Sequence, residues 1–116
     1  MRWAVGGRML RVHETAIELV RDVMPVIREI EREDPDLGRQ MRRSVMSTPL
    51  NIAEGCEQVG KRRALHYRIA MGSARETWSA LRAAAAAGYI GPPSADLENT
   101  FNTVIGTLHR CLVKTP

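Results

Sequence analysis

The chain has 116 residues, of which 44% are hydrophobic and only 4% aromatic, and it contains two cysteines. That length suits one domain with its own apolar core, and the composition excludes wholesale disorder and a disulfide-built scaffold. Seventeen Lys and Arg against thirteen Asp and Glu leave a formal charge of +4, which is compatible with an anionic partner without requiring one. No apolar run approaches the ~18 residues of a bilayer span, and arginines interrupt the opening residues before a secretory segment develops. The expectation is a soluble, cytoplasmic protein with no membrane contact, residues 1–8 forming a loose leader and residues 9–116 the domain.

Apolar residues at Val12, Ala16, Leu19, Val23, Ile27 and Ile30 recur at steps of three and four, which predicts a first helix. Pro25 lies inside it and is expected to kink its last turns. Asp34-Pro35-Asp36 ends the segment, and either aspartate can cap the next helix. A second stripe runs through Leu37, Met41, Val45, Thr48, Ile52 and Cys56, with Gly55 and Gly60 marking its end. It contains Pro49, preceded by Ser47 and Thr48, whose hydroxyls can bond carbonyls one turn back. A third helix is predicted over 61–87, closed by Gly88 and by Gly91-Pro92-Pro93. Ser94, followed by Asp96 and Glu98, reads as the cap of a fourth helix carrying Leu97, Phe101, Val104, Leu108 and either Cys111 or Leu112. With no strand-like alternation and no repeat, the fold class is all-α, an up-down antiparallel four-helix bundle.

The third helix bears small residues all around its cylinder, from Ala70 to the run Ala83–Ala87. Tyr67, Met71, Trp78 and Leu81 form what reads as a second bulky face. One core cannot accept both, so this face is expected to be an oligomer interface; the alternative is a monomer with a few exposed apolar groups.

Charge is uneven. Residues 13–36 hold three arginines and eight acids, whereas residues 37–82 hold nine basic residues and three acids. Two readings are open. The basic middle helices can pair with the acidic first helix, or Arg39, Arg42, Arg43, Lys61, Arg62 and Arg63 can track a nucleic-acid backbone.

Chemistry is sparse. His13, His66 and His109 lack metal-ligand spacing, and neither Glu54 nor Glu76 is followed by a histidine three residues on, as carboxylate-bridged metal bundles require. No phosphate-binding glycine loop, nucleophile elbow or zinc motif occurs, so the expectation is a non-enzyme without metal or other cofactor.

The stretch Arg42-Arg43-Ser44-Val45-Met46-Ser47-Thr48-Pro49-Leu50-Asn51-Ile52-Ala53-Glu54-Gly55 resembles the signature of the 23S rRNA intervening-sequence protein family, the bacterial S23-type four-helix bundles. A second block, Ile69-Ala70-Met71-Gly72-Ser73 with Glu76, Leu81 and Gly88-Tyr89-Ile90, lies at that family's distance from the first. The resemblance spans about residues 10–114 and departs from the pattern at Cys56–Gly60, at Trp78 and at Pro25. It implies a homopentameric ring and a similarity to the accessory proteins of diversity-generating retroelements, which bind nucleic acid and a reverse transcriptase. Asn51, Glu54, Gly55, Gly72, Ser73 and Glu76 carry over as a structural motif, with Arg42 or Arg43 the natural partner of Glu54. The function expected is a non-enzymatic oligomer that binds RNA or DNA. Two alternatives stand beside it: a scaffold for a protein such as a reverse transcriptase or another neighbouring gene product, and a ligand or metal bundle in which Glu54, Glu76 and His66 converge.

Overall fold

Helices form along all four apolar stripes in the computed structural model, which describes residues 7–114: α1 (Gly7–Glu33), α2 (Pro35–Cys56), α3 (Gly60–Ala86) and α4 (Ala95–Val113). The expected leader lies mostly outside the described residues, and Gly7 and Arg8 already belong to α1. Asp34 is the N-cap of α2, accepting a hydrogen bond from the Leu37 amide at 3.0 Å, and Ser94 caps α4 by accepting from the Leu97 amide at 3.1 Å. Gly88 takes φ +82° just beyond α3, a left-handed conformation that glycine adopts without steric cost. Both internal prolines are accommodated within continuous helices. Near Pro49, the Thr48 hydroxyl donates to the Ser44 carbonyl at 3.2 Å as expected, whereas the Ser47 hydroxyl lies against α3 and accepts from Ser73.

Each helix packs on two neighbours, α1 on α2 and α4, and α3 on α2 and α4, in a bundle measuring 42 × 25 × 22 Å. The connections are short, so consecutive helices run antiparallel. Every residue of the first stripe is buried, from Val12 at one end to Ile30 at the other. The core divides along the bundle axis. One cluster gathers Val12, Ile52, Tyr67, Val104 and Leu108; the other gathers Leu19, Ile27, Met41, Leu81 and Phe101.

The face of α3 assigned to another subunit is this chain's own core. Tyr67 is 4% exposed and Leu81 is fully buried, Met71 packs against the first cluster, and Trp78 stacks on Phe101 with ring centroids 5.2 Å apart. The reason is the order of small and large residues along one stripe: Ala64, Tyr67, Ala70, Ala74, Thr77, Leu81 and Ala84 share a single buried face. Alanines around the remaining circumference blur the helix's amphipathicity without building a second apolar face.

Close approach of α2 to α3 depends on Gly55. A Cβ there would press into the Tyr67 ring, 2.6 Å from Cδ1. Burial, reinforced by the contact of its hydroxyl with Cys56 Sγ at 3.7 Å, pushes the Tyr67 phenol well above its usual range and keeps it neutral. Gly55→Ala is expected to destabilise the fold by about 1–3 kcal/mol through overpacking, and Leu81→Ala by about 2–5 kcal/mol through the cavity it leaves. Urea unfolding followed by circular dichroism checks both.

Candidate nucleic-acid interface

Antiparallel packing brings the start of α1, the end of α2, the start of α3 and the end of α4 to one end of the bundle. Arg8 and Arg11 of α1, Lys61, Arg62 and Arg63 of α3, Arg110 of α4 and Lys114 at its C-cap therefore share that end with fewer acids, Glu14, Glu54 and Glu57. The opposite end collects Glu29, Glu31, Glu33, Asp34, Asp36, Asp96 and Glu98, interleaved with Arg28, Arg32, Arg39 and Arg82. The helices that start at this second end carry acids in their first turns, Asp36 in α2 and Asp96 and Glu98 in α4, as the helix dipole favours. Those that start at the basic end have none; α1 opens with Arg8 and α3 with Lys61-Arg62-Arg63.

The six basic residues singled out from sequence do not come together. Lys61 and Arg62 are exposed at the basic end. Arg63 is turned inward, its Nε donating to the Gly55 carbonyl at 3.2 Å and its Nη2 to the Cys56 carbonyl at 3.5 Å, so it neutralises the C-terminus of α2. Arg39, Arg42 and Arg43 sit about 20–25 Å further along α2, toward the acidic end. Arg39 pairs with Asp36 at 2.8 Å on the open surface. Arg42 forms a forked bond to Glu31 of α1, with Nε 2.9 Å from Oε2 and Nη2 2.5 Å from Oε1. Arg43 is exposed and lies on the same turn of α2 as Arg42. Pairing with the acidic first helix accounts for Arg42, so Arg42 is not the partner of Glu54, which is exposed and receives a 3.4 Å bond from Gln58 Nε2.

The motif residues instead build a polar seam between α2 and α3. The Ser44 and Thr77 hydroxyls meet at 2.7 Å, and Ser73 Oγ donates to Ser47 Oγ at 2.8 Å. Asn51 Nδ2 donates to the Ser47 carbonyl at 2.9 Å and to Ser47 Oγ at 3.0 Å. That leaves Asn51 Oδ1 to accept from His66 Nδ1 at 3.0 Å, which assigns the proton to Nδ1. Among the described residues no buried side-chain nitrogen or oxygen lacks a partner. The seam is a register device, and it occupies His66.

A scan against family models matches residues 8–110 to the 23S rRNA-intervening sequence protein model. The chain belongs to that family. Neither the curated proteins nor the solved structures yield a match. As a family member it places Asn51, Gly55 and Ser73 of the motif at the α2–α3 contact, while Glu54, Gly72 and Glu76 face outward. Glu54 and Glu76 lie well apart along the axis, roughly 15 Å or more on the register of the seam, so they do not converge with His66 on a ligand. No helix among the described residues is long and apolar enough to cross a membrane.

Four basic residues of this end escaped the sequence reading: Lys114 and, lining one cavity together, Arg8, Arg11 and Arg110. Arg110 and Lys114 are about a hundred positions from Arg8 and Arg11 in the chain, and Arg8 fell in the expected leader, so no local pattern links them.

The Glu31–Arg42 pair has a pH signature. Its hydrogen bond to Arg42 holds the Glu31 carboxyl below its ordinary value of 4.5. The folded state therefore binds this proton less readily than the unfolded chain, so the pair's stabilisation is complete above 4.5 and disappears as pH falls through the lower folded value. Glu31→Gln is expected to lower the melting temperature at pH 7 and to flatten its decline below pH 4.5, measured by thermal melts across pH.

Proposed function

We propose that this protein is a non-enzymatic nucleic-acid-binding accessory protein that holds the phosphate backbone at the basic end of the bundle. The observation that carries the reading is the reversed charge of the helix starts there. Two N-termini, already positive through the helix dipole, are loaded with Arg8, Lys61 and Arg62 where acids would stabilise the fold. Local rules broken at one place in an otherwise consistent fold favour function there. Lys61 and Arg62 are the contacts we assign to phosphates, with Arg63 positioning the turn that presents them. The family description, which refers to ribosomal RNA, agrees with an RNA-associated role.

Self-assembly belongs to the same reading, since repeating one basic end around a symmetry axis multiplies its field. The surface we assign to a second copy is the outward side of α3. Leu65 is 49% and Ile69 41% exposed there, and a Cβ on Gly72 would meet nothing. Leu50 of α2, 63% exposed, stands level with Ile69 on the seam's register. A glycine in mid-helix costs up to about 1 kcal/mol relative to alanine, and none of the described residues uses the space it frees. The family resemblance suggests a ring of five copies.

Binding to RNA and DNA oligonucleotides across a salt series tests the backbone reading. Affinity should fall steeply with salt, and Lys61→Gln with Arg62→Gln should reduce the log–log slope by about 1.5–2 for each copy engaged. A salt-independent affinity, or a slope unmoved by these changes, would favour the alternative of a scaffold that contacts a protein partner. For assembly, sedimentation of the wild type should give a multiple of the 13.0 kDa chain mass, and Ile69→Glu should return it toward one copy.

A further inference from the structure

Between the first turns of α1 and the last turns of α4 lies a cavity of about 370 Å³ lined by Arg8, Arg11, Val12, Thr15, Thr103, Thr107 and Arg110. Its walls hold three guanidinium groups and three threonine hydroxyls and, among the described residues, no carboxylate. No ion pair within hydrogen-bonding reach compensates Arg8, Arg11 or Arg110 among the described residues. Three like charges around one space repel one another, and an anion entering it relieves the repulsion.

Local features shape these walls for a polar ligand. Arg110 Nη2 donates to Thr107 Oγ1 at 3.3 Å, so the Thr107 hydroxyl keeps its own proton to offer elsewhere. Arg110 lies back over Gly106, where a Cβ would stand 3.3 Å from Nη1, and Arg11 lies over Gly7, where a Cβ would stand 3.1 Å from Nη1. Glycine four residues before each arginine lets the guanidinium lie close along its own helix. Thr15 and Thr103 donate to backbone carbonyls of their own helices, at 2.9 Å to Arg11 and 2.9 Å to Asn99, so of the three threonines Thr107 is the one whose proton is left for an anion.

We propose that this pocket binds a phosphate monoester. Guanidinium forks match phosphate oxygens in pairs, and a dianion balances three arginines better than a carboxylate does. The volume exceeds what a phosphate needs and leaves room for the organic group that bears it. The ester can be a small phosphorylated molecule or the terminal phosphate of a nucleic-acid strand; both present the same dianionic group. The inference stands apart from backbone tracking by Lys61 and Arg62, which belong to α3 and do not line this cavity.

Titration of the full chain with inorganic phosphate, at ionic strength held constant with chloride and followed by amide NMR, tests the proposal. Saturable shifts at Thr103, Thr107 and Arg110 below roughly 10 mM are expected. Arg11→Gln with Arg110→Gln should weaken binding by about tenfold or more, Thr107→Val should weaken it less, and Lys61→Gln with Arg62→Gln should leave it unchanged. An unchanged thermal melt shows that each variant is folded. A 5′-phosphorylated oligonucleotide that binds more tightly than its 5′-hydroxyl twin, with the difference lost in the arginine variant, identifies the strand terminus as the source. Equal binding of the two strands, with inorganic phosphate still saturating, identifies a small phosphorylated molecule. Absence of saturable phosphate binding, or binding that survives loss of Arg11 and Arg110, overturns the proposal. The 5′-hydroxyl strand's salt dependence reports separately on the Lys61–Arg62 end.

Discussion

The contact of α2 with α3 is the constraint on which the remaining geometry depends. Gly55 admits the Tyr67 ring against the α2 backbone, and the hydroxyl and amide pairs from Ser44–Thr77 to Asn51–His66 allow one register between the two helices. A slip by one turn would leave half-buried donors and acceptors facing apolar neighbours, at a cost of about 1–3 kcal/mol for each unsatisfied group. Apolar surface alone tolerates sliding; a ladder of short polar side chains does not. Asn51, Gly55 and Ser73 of the motif thus act in specifying the fold, whereas Glu54, Gly72 and Glu76 take no part in this contact.

Register, once set, decides the electrostatics. Because α1 and α3 begin where α2 and α4 finish, charges scattered over the whole chain sort into a basic and an acidic end. Arginines that look equivalent in sequence have different fates there. Arg42 is spent on Glu31 across the α1–α2 contact, Arg63 neutralises the carbonyls that end α2, and Arg62 remains exposed. A guanidinium engaged in a forked bond to carboxylate has few donors left for phosphate, so counting basic residues overstates the available surface.

The helices were legible because each apolar stripe repeats at a period set by backbone geometry, which needs no knowledge of the partner. The stripe from Val12 to Ile30 is buried residue for residue, and the caps at Asp34 and Ser94 arise from side chains that reach their own helix. The third helix resisted the same reading. Alanine on every side of α3 hides which face is inward, and the bulky set Tyr67, Trp78 and Leu81 proved to be the inward one.

Local chemistry along the chain therefore determined four helices, their ends, their order and the family signature, since these depend on residues within a few positions of one another. Only the tertiary structure decided which charges are neighbours, which face of α3 is covered and that Arg8, Arg11 and Arg110 surround one cavity. Those relations join residues far apart in the chain, through a helix register held by side chains whose pairing no periodicity announces.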